Sequence, residues 1–109
     1  MEVKPFLVQE YKTESGSNPF RNWLNALDKE VRARIQSRLT RFEAGKLGDY
    51  RTIGKGVYEA RFAFGPGYRI YFGFEGEQIV LLLLGGDKGS QTRDIIRAQK
   101  YWLDYLTRR

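Results

Sequence analysis

The stretch Gly56-Val57-Tyr58-Glu59-Ala60-Arg61-Phe62-Ala63-Phe64, Gly65-Pro66-Gly67, Tyr68-Arg69-Ile70-Tyr71-Phe72-Gly73-Phe74 reads as a β-hairpin, and its reading decides the fold. Each arm alternates aromatic or aliphatic residues with polar ones, the period of a strand with one buried face. Gly-Pro-Gly supplies the reversal, with positive φ open to the glycine on either side of the proline. With Phe64 facing Tyr68, the register predicts Phe62 opposite Ile70, Ala60 opposite Phe72 and Tyr58 opposite Phe74. One face is then almost wholly apolar. The other carries Glu59, Arg61, Arg69 and Tyr71, with Tyr71 opposite Arg61 and Arg69 diagonal to it. Two arginines and a tyrosine on rigid strands form a candidate anion site. The competing explanation is structural: a salt bridge to Glu59, on the same face as Arg61.

Towards the N-terminus, Gly54-Lys55-Gly56 is a tight turn that displays Lys55, preceded by a short strand at Arg51-Thr52-Ile53 and a turn over Leu47–Tyr50. Before these lie two helices. Asn18 fits an N-cap and Pro19 the first helical position, and Phe20, Trp23, Leu24 and Leu27 form one apolar stripe. Asp28 is the expected cap of the second helix, whose stripe is Val31, Ile35, Leu39 and Phe42 and whose stop is Gly45. That helix also carries Lys29, Arg32, Arg34, Arg38 and Arg41, a solvated face that can also follow a nucleic-acid backbone. Phe6–Tyr11 is the expected first strand, beyond Pro5.

Towards the C-terminus, Glu75-Gly76-Glu77 turns the chain into Gln78–Leu84, apolar on both faces and therefore a central strand. Gly85-Gly86-Asp87-Lys88-Gly89 follows, with Ser90 as the expected cap of a helix from Gln91 to Leu106 that buries Ile95, Ala98, Trp102 and Leu106. Thr107-Arg108-Arg109 is expected to fray. The order is strand, two helices, antiparallel strands, helix: an α+β domain over residues 1–109, with helices packed on a sheet.

The chain has 109 residues, enough for one core. Nineteen Lys and Arg against thirteen Asp and Glu leave a net charge of +6, which favours polyanionic partners. Cysteine and histidine are both absent, which excludes disulfides, thiolate nucleophiles and imidazole acid–base chemistry. No metal site or small-molecule cofactor is expected. Met1-Glu2-Val3-Lys4-Pro5 lacks the pattern of a signal peptide, and no apolar run approaches a membrane span, so a cytoplasmic protein is expected. No Walker loop, dinucleotide fingerprint or zinc spacing occurs. Gly85–Ser90 lies between a strand and a helix, where free N–H groups can hold an anion, and is a weak phosphate-contact candidate. Asp94 in the first turn of the last helix is accounted for by the helix dipole.

Gly56-Val57-Tyr58-Glu59-Ala60-Arg61 followed by Gly65-Pro66-Gly67-Tyr68-Arg69-Ile70-Tyr71-Phe72 resembles the RelE/ParE superfamily of type II toxins, and within it the HigB-like, phage-derived addiction module killer protein branch. Asn18-Pro19-Phe20 through Leu27, Gly48-Asp49, and Leu83-Leu84-Gly85-Gly86-Asp87-Lys88 through Gln91 and Asp94-Ile95 carry the same resemblance, which spans nearly the whole chain. It implies a RelE-like sheet, antiparallel but mixed at one edge, of four to five strands, with two N-terminal helices and a C-terminal helix packed against it. It also implies binding of mRNA in the ribosome, metal-independent cleavage, and neutralisation by an antitoxin, in this branch usually a helix-turn-helix repressor. By position, Arg69 matches the arginine that contacts the scissile phosphate, Arg61 a basic residue on the preceding strand, and Lys88 a further basic position. Tyr71 completes the candidate catalytic set. Lys55, Arg51, Gln91, Arg38 and Arg41 are the candidate RNA contacts. The terminal catalytic tyrosine of RelE and the histidines of HigB enzymes have no counterpart here, which leaves the proton carrier open among Lys55, Lys88, Tyr71, Asp94 and Glu59.

The expected function is therefore a ribosome-dependent endoribonuclease toxin that arrests translation. The alternatives are a ParE-like inhibitor of DNA gyrase and a relative that only binds antitoxin or RNA.

Overall fold

The computed structural model describes residues 4–109; Met1-Glu2-Val3, part of the segment read for a targeting signal, lie outside them. The chain runs β1 (Leu7–Glu10), α1 (Pro19–Asn25), α2 (Lys29–Glu43), β2 (Tyr50–Gly54), β3 (Val57–Arg61), β4 (Arg69–Glu75), β5 (Ile79–Gly86), a turn of 3-10 helix at Lys88–Ser90, and α3 (Gln91–Arg108). The five strands form one sheet in the order β1-β5-β4-β3-β2. All neighbours are antiparallel except β1, which pairs parallel with β5 at the edge (Leu7 with Ile79, Glu10 with Leu82). This is the α+β architecture expected from the sequence, mixed at one edge.

The sheet separates two apolar layers. On one face α1 and α2 pack Phe20, Leu24, Ile35, Leu39 and Phe42 against Ala60, Ile70, Phe72, Val80 and Leu82. On the other, α3 packs Ala98 and Trp102 against Val57, Tyr71, Leu81 and Leu83. The unbroken apolar run of β5 is thus explained by cover on both sides. Trp102 lies so close to the sheet that a Cβ at Gly73 would meet its ring at 2.5 Å. Among the described residues, no helix is long and apolar enough to cross a membrane.

Four local expectations change. The hairpin register is displaced by two residues: Ala60 pairs with Ile70, Tyr58 with Phe72, Glu59 with Tyr71, and Arg61 with Arg69. An even displacement keeps every side chain on its expected face. The cause is a longer loop: the Phe62 N–H donates to the Tyr68 carbonyl at 3.0 Å, and Phe64 leaves the strand to lie edge-on to Phe62 beneath the Arg34 guanidinium. Gly65 and Gly67 take φ of +62° and +79°, as the sequence suggests. The helix caps differ too. Asn18 accepts the Arg21 N–H at 3.0 Å as expected, but Asp28 makes no side-chain cap bond. Ser90 does not cap α3 through its hydroxyl either; Asp87 and Ser90 instead close a reciprocal capping box around the 3-10 turn. Lastly, α3 does not fray at Thr107, because Arg108 donates to the Lys12 carbonyl at 2.8 Å and to Asp104. Ile95 and Leu106 are only partly buried on that helix.

Candidate active site: arginines around a buried glutamate

Alternation along β3 and β4 sends Glu59, Arg61, Arg69 and Tyr71 to the α3 face of the sheet, beside the first turn of that helix. Glu59 has no exposed surface, and three side chains converge on it. Its Oε1 accepts Arg51 Nε from β2 at 3.1 Å. Its Oε2 accepts Gln91 Nε2 from α3 at 3.0 Å and lies 3.5 Å from Arg69 Nε. Arg69, its side chain only 11% exposed, is held at its other end by the Gly67 carbonyl, 2.8 Å from Nη1. The buried carboxylate therefore fixes two guanidinium groups from two strands, and α3 supplies the third contact.

Arg61 does not join Glu59. It turns outward to Asp49, with Nε 3.3 Å from Oδ2, an exposed pair of the kind worth about 0–1 kcal/mol. Because Arg61 and Arg69 are direct cross-strand partners, two cations sit roughly 5 Å apart at the backbone. Lys88 packs beside the 65–67 loop: its N–H donates to the Pro66 carbonyl at 3.3 Å, and its Cβ faces Gly67. Arg51, Arg61, Arg69 and Lys88 together outnumber Glu59 and Asp49 by two charges. Arg61, Gly67, Tyr68 and Arg69 open onto a cleft of about 400 Å³. Forked donors with surplus positive charge at a cleft suit a phosphate diester.

The structure separates the remaining candidates. Tyr71 is fully buried, and its hydroxyl has no hydrogen-bond partner among the described residues. Burial first, then the neighbouring Glu59 carboxylate, then Asp94 push its ionisation well above the ordinary tyrosine range, against the pull of Arg69. It is a neutral phenol beneath the site and does not reach the cleft. Lys55 sits at the far tip of the β2–β3 turn, at φ +55°, in a groove with Gln99 and Trp102. Arg38 is buried and structural. It donates to the carbonyls of Arg61, Leu47 (3.1 Å) and Asp49 (2.7 Å) and stacks on Phe62, and burial pulls its basicity down. Arg41 lies with Arg34 and Phe64 along a groove on the α2 side. Three N–H groups of the Gly85–Ser90 loop are already taken: Asp87 Oδ1 accepts the Ser90 N–H and the Ser90 hydroxyl accepts the Asp87 N–H, each at 3.2 Å, and the Lys88 N–H goes to the Pro66 carbonyl. That capping box argues against a phosphate loop.

Sequence reasoning did not anticipate that Arg51 and Gln91 share Glu59, or that Asp49 holds Arg61. The only signals were parity along β2, which puts Arg51 across from Glu59, and the Gly48-Asp49 pair ahead of it.

The chain is 37% identical over 81 residues to an uncharacterized protein of Haemophilus influenzae, an alignment that covers 73% of this chain and 82% of that protein. No solved structure matches it. Residues 22–101, which hold α2, every strand from β2 to β5, the arginine cluster and most of α3, match the phage-derived protein Gp49-like family. The chain therefore belongs to the phage-derived Gp49-like family (DUF891).

Proposed function

We propose that this protein is the toxin of a toxin–antitoxin pair and that its arginine cluster binds and cleaves mRNA on the ribosome, in the cytoplasm. The observation that carries this reading is the pair of guanidinium groups held by one buried carboxylate, with Arg61 across from Arg69 and Lys88 packed beside the 65–67 loop. Membership of a phage-derived family and the HigB-like sequence resemblance support it. In cleavage by the adjacent 2′-hydroxyl, charge builds on the non-bridging oxygens of a phosphorane. Arg69 is preset to meet that charge, since Glu59 and Gly67 fix its fork before substrate arrives. Arg61 and Lys88 hold the flanking backbone. The proton steps fall to groups on the RNA, the ribosome or Lys88, since Tyr71 is buried and neutral. Neutralisation follows when a helix-turn-helix repressor covers the basic face, and co-expression with such a partner should yield one peak on gel filtration.

The experiment is in vitro translation with primer extension. A-site cleavage is expected, and Arg69→Ala should lower it by about 10²–10³-fold, the usual cost of one preset donor. Absence of cleavage, or cleavage indifferent to Arg69, sinks the nuclease. A second reading, a toxin that acts by binding alone, as ParE-like gyrase inhibitors do, draws on the burial of Tyr71. Inhibition of supercoiling by a protein that cuts no mRNA would select it.

A further inference from the structure

A second cleft, of about 530 Å³, lies at the C-terminal end of β5, between α1 and the N-terminal half of α3. That volume is in the range of small-ligand pockets. Its apolar walls are Trp23 and Tyr101, both half-buried. Its floor is Asp94, only 3% exposed, and its rim carries Arg93 and Arg97. The two glycines that end β5 make room for this arrangement: a Cβ at Gly85 would meet the Trp23 ring at 2.0 Å, and one at Gly86 would meet Asp94 Oδ2 at 1.9 Å. Asp94 Oδ2 takes the Ser90 hydroxyl at 2.5 Å, and among the described residues nothing donates to Oδ1.

We propose that this cleft is a base pocket for single-stranded RNA, selective for bases that carry an exocyclic amine, guanine foremost. Aromatic walls suit the face of any base. A recessed carboxylate repels phosphate and accepts only donors, so the group that enters must present N–H bonds. Guanine offers two adjacent N–H donors on its pairing edge, either of which can reach the open Oδ1, and adenine and cytosine offer an amine. Uracil offers a single imino N–H between two carbonyls, which the carboxylate repels. Arg93 and Arg97 at the rim suit the phosphates on either side of the inserted base. The location fits as well. Gly86, under Asp94, is the cross-strand partner of Arg69, so the pocket begins one strand away from the arginine cluster. The assignment of RNA as the ligand rests on the phosphate reading of that cluster; the base preference rests on Asp94 alone.

The test is equilibrium binding of the pentaribonucleotides UUGUU, UUAUU, UUCUU and UUUUU to the full chain, followed by anisotropy and by tryptophan fluorescence. UUGUU should bind about fivefold or more tightly than UUUUU, the scale of one good carboxylate–base contact. Binding should quench fluorescence in the wild type and not in Trp23→Phe, where Trp102 alone remains. Asp94→Asn, nearly isosteric, should bring the four affinities within about twofold, while Arg97→Ala should weaken all four alike. Equal affinities for the four oligonucleotides in the wild type, or a preference that survives Asp94→Asn, overturn the pocket. The two readings fail separately. Base-selective binding without any mRNA cleavage leaves the pocket standing and removes the nuclease. Arg69-dependent cleavage with no base preference does the reverse.

Discussion

Glu59 and Arg38 are buried charges that hold the surroundings of the cleft in place, Glu59 through Arg51 and Arg69, Arg38 through the carbonyls of Leu47 and Asp49. Glu59→Gln keeps the shape but removes the charge that Arg51 and Arg69 share. A lost charged hydrogen bond costs about 1.5–3 kcal/mol, and the 53% exposure of Arg51 puts its bond at the low end, while Arg69 loses an ion pair at 3.5 Å. The kinetic consequence should split. On the proposed nuclease reading, the cleft without the carboxylate is more positive and should bind RNA more tightly, while Arg69 is no longer aimed and turnover should fall. A lower KM with a kcat reduced at least tenfold is the expected outcome, and single-turnover cleavage measures it; a fall in folded protein alone would leave KM unchanged. Arg38 and Arg41 sit three residues apart on α2 and should behave oppositely. Arg38→Lys abandons carbonyls at Leu47, Asp49 and Arg61 and should lower stability by about 2–4 kcal/mol, read from urea denaturation. Arg41→Ala, on an exposed face, should stay within about 0.5 kcal/mol of the wild type.

At the level of elements, the contact between α3 and the sheet leaves no room for an added side chain. Gly73→Ala would drive a methyl group into the Trp102 ring, which is buried and cannot swing away. A loss of about 1–3 kcal/mol, again by urea denaturation, is expected from overpacking of this kind. The hairpin shows which element features are legible from sequence. Parity along Tyr58, Ala60 and Phe62 assigns each side chain to a face, since burial of one face punishes any odd slip. The pairing itself was not legible. Whether Phe64 extends the strand or joins the loop depends on Phe62 and on Arg34 from α2, a contact that local pattern does not contain. The site divides along the same line. Arg61, Arg69 and Glu59 share a face by alternation, but Gln91 and Lys88 reach it only because α3 and its preceding turn fold back over β3 and the 65–67 loop. Arg38 departs from the sequence pattern for the complementary reason. A basic residue on a basic helix looks solvated until the carbonyls of a distant loop are found to claim it.

Across the whole molecule, charge sets the pH limits. Burial, with a hydrogen bond to Asp104, pushes Tyr11 up to about 12, while burial and Glu59 raise Tyr71 further, and Tyr105 is raised as well. In the unfolded chain these phenols ionise near ~10. The unfolded state therefore releases protons first as pH rises, and stability, level up to about pH 9, should fall through pH 10–12 by up to about 1.4 kcal/mol per unit for each such tyrosine. Absorbance titration at 295 nm should show these residues ionising only as the protein unfolds. At the acid end, Glu10 is held below its ordinary value chiefly by the Arg21 hydrogen bond, so its contribution is present above pH ~4.5 and disappears as pH falls through its lowered value. Glu10 belongs to β1, whose parallel pairing carries a consequence in the order of synthesis. Its strand partner, β5, emerges from the ribosome some seventy residues later, and the Tyr11 and Lys12 contacts await Asp104 and Arg108. Two strands side by side in the same direction cannot be joined by a short turn, so their closure is slow and non-local. The arginine cluster likewise lacks Gln91 until α3 begins. A growing chain of this protein thus carries no finished arginine cluster until α3 has been made, so the site is assembled last.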